Sequence, residues 1–124
     1  MADRWTMAAE KLIALTQAGE VQWQPSQDIS RRRSTADIVG PAYVAEVDGK
    51  QIAVFEYQFK NFHDEDEWHW DTGVTVEFVD ENYDTEWVWP STGGSRFALL
   101  DAVRYQAAAA DDFLSRFLEK PKVG

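Results

Sequence analysis

The segment from Phe62 to Asp71 concentrates the side chains that could do chemistry. It contains both histidines of the chain and five carboxylates: His63, His69, Asp64, Glu65, Asp66, Glu67 and Asp71. Imidazole nitrogens and carboxylate oxygens bind divalent ions, and strand alternation would place Glu67, His69 and Asp71 on one face. The spacing matches no zinc motif, and an EF-hand loop would need a central glycine and a terminal glutamate. A metal site and a solvated hairpin loop both stay open, and we predict no resident metal or cofactor.

A second group of carboxylates lies on the next two predicted strands. A turn at Glu81-Asn82 would pair Thr85 with Phe78. The same register places Glu77 directly opposite Glu86. The other titratable side chains on this face are Asp84, Asp71 and His69. Like charges that face each other across two strands destabilise a sheet by a few tenths to about 1 kcal/mol. A basic partner, a cation or basic side chains of the last helix would compensate.

The negative charge of the chain comes from one segment. Twenty-two Asp and Glu against twelve Lys and Arg give a net charge of -10. Between Asn61 and Ser95 there are ten carboxylates and no Lys or Arg, so the remaining residues are neutral in sum. The one basic cluster is Arg31-Arg32-Arg33, in a polar stretch that we expect to be a loop. This field repels nucleic acid and anionic membranes and attracts a basic protein surface.

The sequence lacks the residues of common catalytic sites. It has no cysteine, no glycine-rich phosphate loop and no GxSxG nucleophile elbow. A carboxylate pair acting as acid and base would need one member in an apolar pocket, whereas most of these carboxylates fall on a predicted exposed face. No apolar run approaches the roughly 20 residues that span a bilayer, and the N-terminus lacks the pattern of a signal peptide. We therefore predict a non-enzymatic, cytoplasmic protein that binds neither nucleic acid nor membranes.

The chain should begin with a helix. Asp3 is a candidate N-cap, and apolar residues follow at three-to-four spacing until Ala18-Gly19, which predicts the C-terminal end. Val21-Gln22-Trp23 then alternates like a short strand that ends before Pro25.

The strongest hairpin signal is Asp48-Gly49, which suits a type I′ turn. It predicts that strands 43–47 and 51–59 pair in the register of a two-residue turn. The apolar face changes partway along, which indicates a bulge or a sheet edge near Phe55.

Four of the six tryptophans fall on one face of the last two predicted strands: Trp68, Trp70, Trp87 and Trp89. The alternation from Trp68 to Phe78 is typical of a half-buried antiparallel strand. We predict that these tryptophans form the core beneath the last helix. An aromatic ligand groove or an exposed interaction patch is the alternative.

The last element should be a long amphipathic helix. Ser95 is a candidate N-cap and Pro121 ends the helix. Its apolar stripe consists of Leu100, Val103, Ala107, Ala110, Leu114 and Phe117. Asp111-Asp112 could equally mark a break into two helices.

Together these elements predict a single α+β domain spanning residues 1–124. It has an N-terminal helix, an antiparallel β-meander of four or five strands, and a long C-terminal helix packed on one sheet face, with an acidic opposite face. Three segments carry a resemblance: Gly19 to Trp23, Trp87-Val88-Trp89-Pro90, and Leu99 to Gln106. In this layout the chain resembles small, uncharacterised bacterial and phage-associated proteins, and the resemblance implies the fold alone.

The predicted function is that of an acidic protein-binding module of the inhibitor, immunity or adaptor type. It would engage a basic protein surface, with masking of a nucleic-acid-binding site as one mode, and use exposed aromatics such as Phe62 or Tyr83 as anchors. The predicted partner-binding residues are Asp64, Glu65, Asp66, Glu67, His69, Asp71, Glu77, Asp84 and Glu86. The alternative is a module that binds a small molecule or a divalent metal through the loop 63–71 and aromatic residues.

Overall fold

The computed structural model describes residues 3–32, 37–90 and 93–121. In chain order the elements are α1 (Arg4–Gln17), β1 (Gln24–Ser26), α2 (Gln27–Arg32), β2 (Ile38–Val47), β3 (Lys50–Phe62), β4 (Trp68–Val79), β5 (Thr85–Val88), α3 (Ser95–Ala107) and α4 (Ala110–Glu119). The five strands form one antiparallel sheet in sequence order, which confirms the α+β fold and its meander. None of the helices in these three ranges combines the length and apolarity that crossing a membrane requires.

The β2–β3 hairpin forms as the sequence predicts. Asp48 and Gly49 have positive φ angles of 51° and 78°, the type I′ geometry that matches the right-handed twist of the two strands. Ala45 pairs with Ile52, as a two-residue turn requires. Further along, residues 40–42 of β2 lie opposite the single Phe55, so the predicted irregularity is a bulge.

One face of the sheet packs against α1 and α3 and forms the main core. Its buried strand residues are Tyr43, Ala45, Ile52, Val54, Val74 and Val76. The helices contribute Ala9, Leu12, Leu99, Leu100 and Val103. The Asp3 side chain accepts a hydrogen bond from the Trp5 backbone N–H at 3.3 Å, so the predicted N-cap of α1 is confirmed. The Trp5 ring centroid lies 4.9 Å from those of both Trp87 and Trp89, which ties α1 to the end of β5.

A single amide, that of Gln106, joins the end of α1 to α3. Its Nε2 donates to the carbonyl oxygens of Thr16 at 3.1 Å and Val21 at 2.7 Å. Its Oε1 accepts from the backbone N–H of Trp23 at 2.8 Å. Residues 21–23 are therefore held as an irregular segment rather than as the short strand that their alternation predicts. The strand β1 starts one residue later and includes Pro25, which an edge strand tolerates.

The opposite face is a second core over half of its length, not the acidic face that we expected. Ile29 of α2 packs there against Ala42, Ala53, Phe55 and Val79. The predicted polar loop between residues 24 and 37 thus contains β1 and α2. The backbone of Arg31 and Arg32 ends α2, and the remainder of that basic cluster lies outside the described residues.

The register of β4 and β5 differs from the prediction. Phe78 pairs with Trp87 and Glu77 pairs with Val88, so the predicted opposition of Glu77 and Glu86 is wrong. The connection is a five-residue loop, 80–84, because the Asp80 side chain accepts hydrogen bonds from two backbone N–H groups, at Asn82 (2.9 Å) and Asp84 (3.0 Å). Such Asx-type bonds replace the two-residue turn predicted at Glu81-Asn82.

The predicted long C-terminal helix is two helices. The chain breaks at Ala108 and Ala109, where Ala109 adopts a left-handed φ of 52°, and Asp111 and Asp112 fall in the first turn of α4. Of these two helices, α3 packs on the sheet, whereas no residue of α4 is buried. The apolar side chains on the exposed α4 are Phe113, Leu114, Phe117 and Leu118.

Candidate functional site

The far end of the β3–β4 hairpin extends beyond the rest of the sheet as a two-stranded arm. The pairing of β2 with β3 ends at Tyr57, and the pairing of β5 with β4 reaches only Glu77. Pairing of β3 with β4 continues well past both points, to Phe62 and Trp68. We call residues 58–72 the arm. It lies beyond the helices that cover the sheet, so its side chains face outward on both sides.

The tip of the arm presents a cluster of free carboxylates. His63 donates its backbone N–H to the Glu67 carbonyl at 2.9 Å, which closes the tip. The Asp64 side chain accepts from the backbone N–H of Glu65 at 2.7 Å, so this carboxylate shapes the turn. Within the described part of the chain, the exposed carboxylates of Glu65, Asp66 and Glu67 have no ion-pair or hydrogen-bond partner. Their negative charge is available to a partner.

One side of the arm is aromatic and exposed. Phe62, Trp68 and Trp70 are 61%, 43% and 51% exposed, which corrects the prediction that the strand tryptophans are core. Of the four tryptophans on this face, only Trp89 is buried. The Trp68 and Trp70 rings meet edge to face at 5.3 Å, and the Lys60 ammonium lies 4.5 Å from the Trp68 centroid. The arm therefore already holds one cation over its aromatic surface.

The other side of the arm holds the two histidines. The His63 Nε2 and His69 Nδ1 atoms share a hydrogen bond, and the two rings stack with centroids 4.5 Å apart. His69 Nε2 lies 4.0 Å from Asp71 Oδ2, and Asn61 donates to the same carboxylate oxygen at 3.4 Å. Among the described residues, no three His, Asp or Glu side chains are grouped so as to hold a metal ion. Glu67, His69 and Asp71 therefore do not converge in the way that their spacing suggested.

Glu77 belongs to the interior rather than to an exposed face. It is 2% exposed, and its carboxylate accepts the hydroxyl hydrogens of Thr75 at 3.1 Å and Thr85 at 2.8 Å. These bonds satisfy a charge that burial would otherwise penalise. The prediction that Glu77 contributes to an exposed acidic face is wrong.

The two remaining predicted residues lie at the other end of β4. Asp84 is in the 80–84 loop, and Glu86 forms an exposed ion pair with Lys50 at 3.7 Å. Asp80, where this loop begins, lies nine residues after Asp71. At about 3.3 Å per residue along a strand, the loop is therefore roughly 30 Å from the arm. The structure thus brings together only Asp64, Glu65, Asp66, Glu67, His69 and Asp71.

The exposure of the aromatic side chains differs most from the prediction. Phe62 is exposed as expected, but Tyr83 is partly buried against the second core. Trp68 and Trp70 are predicted in the core but are exposed, although the sequence holds a usable signal. Two adjacent strands that outlast their neighbours, joined by five strongly polar residues, are typical of a projecting hairpin.

The comparisons with known proteins add no family to this geometry. The resemblance to small bacterial and phage-associated proteins stays a prediction. No family model, curated protein or solved structure matches the chain.

Proposed function

We propose that this protein is a non-enzymatic binding module whose arm engages a basic protein surface. One observation carries the proposal: exposed Phe62, Trp68 and Trp70 lie directly beside the unpartnered carboxylates of the tip. Monomeric proteins seldom leave neighbouring large aromatics in water without a use for them, and interface centres are enriched in Trp and Tyr. The combination of an aromatic surface and an acidic rim favours a protein partner.

The two groups of side chains would act at different stages of binding. The carboxylates of Glu65, Asp66 and Glu67 act at long range, so they raise the rate at which a basic partner meets the arm. Trp68 and Trp70 act in contact, where burial of their rings slows dissociation. A partner arginine stacked on these rings would take the place that the Lys60 ammonium now occupies.

This chemistry suits an inhibitor, an immunity protein or an adaptor. A basic surface that carries stacking cations is the kind of surface that binds nucleic acid, so the arm would mask such a site. The field of the chain, with net charge -10, disfavours nucleic acid itself as the ligand.

The test separates the two roles in one captured and purified basic partner. A variant with Glu65→Gln, Asp66→Asn and Glu67→Gln should associate about tenfold more slowly at low salt and lose most of the salt dependence, with dissociation little changed. A Trp68→Ala/Trp70→Ala variant should dissociate at least tenfold faster with association little changed.

The matched control neutralises three exposed carboxylates away from the arm, at Glu10, Glu20 and Glu119. It removes the same charge, so any effect of net charge alone appears in both variants. Equal association rates for the tip variant and this control would contradict the proposal. An unchanged dissociation rate for the double tryptophan variant would also contradict it.

A second candidate function is transition-metal binding, favoured by the histidine pair. His63 Nε2 and His69 Nδ1 point at each other, and the other nitrogen of His69 faces a carboxylate, as the rings of metal ligands commonly do. A rise in melting temperature with added Zn²⁺ that disappears in His69→Ala would support this function. An unchanged melting temperature with added Zn²⁺ would contradict metal binding.

A further inference from the structure

The outer edge of β4 is open along the arm. Beyond the contact with β5, no described residue forms a ladder with β4 on that side. An open strand edge is a template on which another strand can add, and natural proteins usually protect such edges with charge or short length. β5 is four residues long, whereas the open part of β4 runs from Trp68 to Thr72.

Two backbone hydrogen bonds establish which residues face this edge. His63 donates to the Glu67 carbonyl across the tip, so odd-numbered residues of β4 direct their N–H and C=O groups toward β3. Trp89 donates to the Val76 carbonyl at 2.8 Å from the other side, so even-numbered residues point away from β3. The open edge therefore consists of the backbone groups of Trp68, Trp70 and Thr72.

The Thr72 backbone N–H shows the same orientation independently. It donates to the side-chain Oδ1 of the neighbouring Asp71 at 2.9 Å. A residue whose N–H was paired with β3 would not be free to do this. The side chain of Asp71 thus occupies the place of a missing strand partner.

We propose that an extended basic segment of a partner protein adds to this edge as a sixth strand of the sheet. The inference rests on the proposed function and specifies how the partner is held. Backbone groups of Trp68, Trp70 and Thr72 supply a ladder, while alternate partner side chains reach either the tryptophans or the carboxylates. A lysine or arginine at every second position of the segment would face Asp71 and the tip.

Charge argues for a basic partner over a second copy of this chain. Antiparallel pairing of two β4 edges about Trp70, the centre of the open part, would bring two chains of net charge -10 together along their most acidic segments. There is no Lys or Arg between Asn61 and Ser95 to compensate. On the opposite edge of the arm, Gln58 already donates to the Asp37 carbonyl at 2.8 Å, and Lys60 would repel a basic segment.

The first experiment uses two synthetic probes with the full-length protein. One is an octapeptide of alternating lysine and valine, and the other is the same peptide with every backbone nitrogen methylated, which keeps the charge and removes the donors. The first peptide should bind at least tenfold more tightly. In hydrogen-exchange NMR, it should slow the amides of Trp68 and Trp70 at least tenfold. The amides of His69 and Asp71 face β3 and should be protected with or without peptide.

A pair of proline variants tests the edge from the protein side. Thr72→Pro removes an outward N–H and should weaken octapeptide binding at least tenfold relative to Thr72→Ala. Lys60→Pro removes an N–H from the opposite edge and should match Lys60→Ala. Should Thr72→Pro fail to fold, the exchange of the Trp68 and Trp70 amides in the wild-type protein still decides the question.

The outcomes separate this inference from the proposed function. Equal binding of the two peptides overturns strand addition and leaves charge-driven docking on the arm intact. Failure of both peptides to bind also overturns strand addition. The proposed function is tested separately, by the association and dissociation rates of the captured partner with the tip variant and the tryptophan variant. Edge protection together with selective loss in Thr72→Pro supports the sixth strand.

Discussion

The Gln106 amide offers a sharp test of how the two ends of the chain are joined. Replacing Gln106 with alanine leaves the Trp23 N–H and the Val21 carbonyl without this partner, and both residues are buried; the Thr16 carbonyl keeps the hydrogen bond from the Gly19 N–H at 3.1 Å. A buried polar group that loses its partner costs about 1 to 3 kcal/mol. Gln106 is itself only partly buried, so water will reach some of the vacated space and the lower figure applies to each group.

At about 1 kcal/mol for each of these two groups, the expected loss is about 2 kcal/mol of unfolding free energy, reduced by less than about 0.5 kcal/mol because alanine favours the helix more than glutamine. For a chain of this size that corresponds to a fall in melting temperature of about 7 °C. Urea unfolding followed by circular dichroism measures the free energy, and calorimetry measures the temperature.

Gln106→Glu is the matched control because it keeps the shape and changes only the donors. The carboxylate still accepts from Trp23 but faces two carbonyl oxygens with no hydrogen to donate, so at pH 7 this variant should be less stable than Gln106→Ala. Protonation restores one donor, and the deficit should shrink as the pH falls toward about 4.5. A Gln106→Ala variant within 0.5 kcal/mol of wild type would refute this account of the amide.

Two further predictions concern the register and the last helix. Glu77→Ala should lower the free energy of unfolding in urea by about 2 to 3 kcal/mol, because it removes the buried acceptor of the Thr75 and Thr85 hydroxyl hydrogens. Glu86→Ala should lower it by less than about 0.5 kcal/mol, because the ion pair of Glu86 with Lys50 is exposed. Equal costs for the two variants would contradict the observed register. A chain ending at Ala108 should unfold cooperatively within about 3 °C of the full chain, since α4 buries no residue; a large fall in the calorimetric midpoint would show that α4 supports the core.

The strand pairing could be predicted from the sequence only where the turn residues allow a single turn geometry. Asp48-Gly49 permits essentially one hairpin geometry, so the pairing of β2 with β3 followed directly from it. The 80–84 loop has no such constraint, and the Asp80 side chain lengthened it. The pairing of Trp87 shifts by two residues, which keeps its side chain on the predicted face, whereas a bulge shifts Thr85 by one residue and turns it to the Glu77 face. Alternation therefore identified the tryptophan face but could not show that Glu77 lies opposite Val88.

The length and direction of α3 determine which part of β4 it covers. Thirteen residues of α3 span about 20 Å, whereas the twelve residues of β4 span about 40 Å. α3 crosses the strands rather than following β4: Arg104 pairs with Glu56 of β3 and Gln106 bonds to the backbone of Trp23 just before β1, so the helix leaves Trp68 and Trp70 uncovered. A longer α3 would continue in that direction, away from the arm, so the exposure of the arm follows from the direction of the helix as well as from its length.

The packing of α1 has a consequence for the order in which the protein can fold during synthesis. α1 is made before the other described elements, yet Trp5 packs on Trp87 and Trp89, and the backbone at the end of α1 is bonded to Gln106. The apolar stripe of α1 can meet Val47 and Ile52 earlier, but its contacts with the later residues have a long sequence separation, which slows folding. The packing of α1 is therefore complete only after Gln106 has been made, and until then its uncovered apolar residues would be a natural binding site for chaperones.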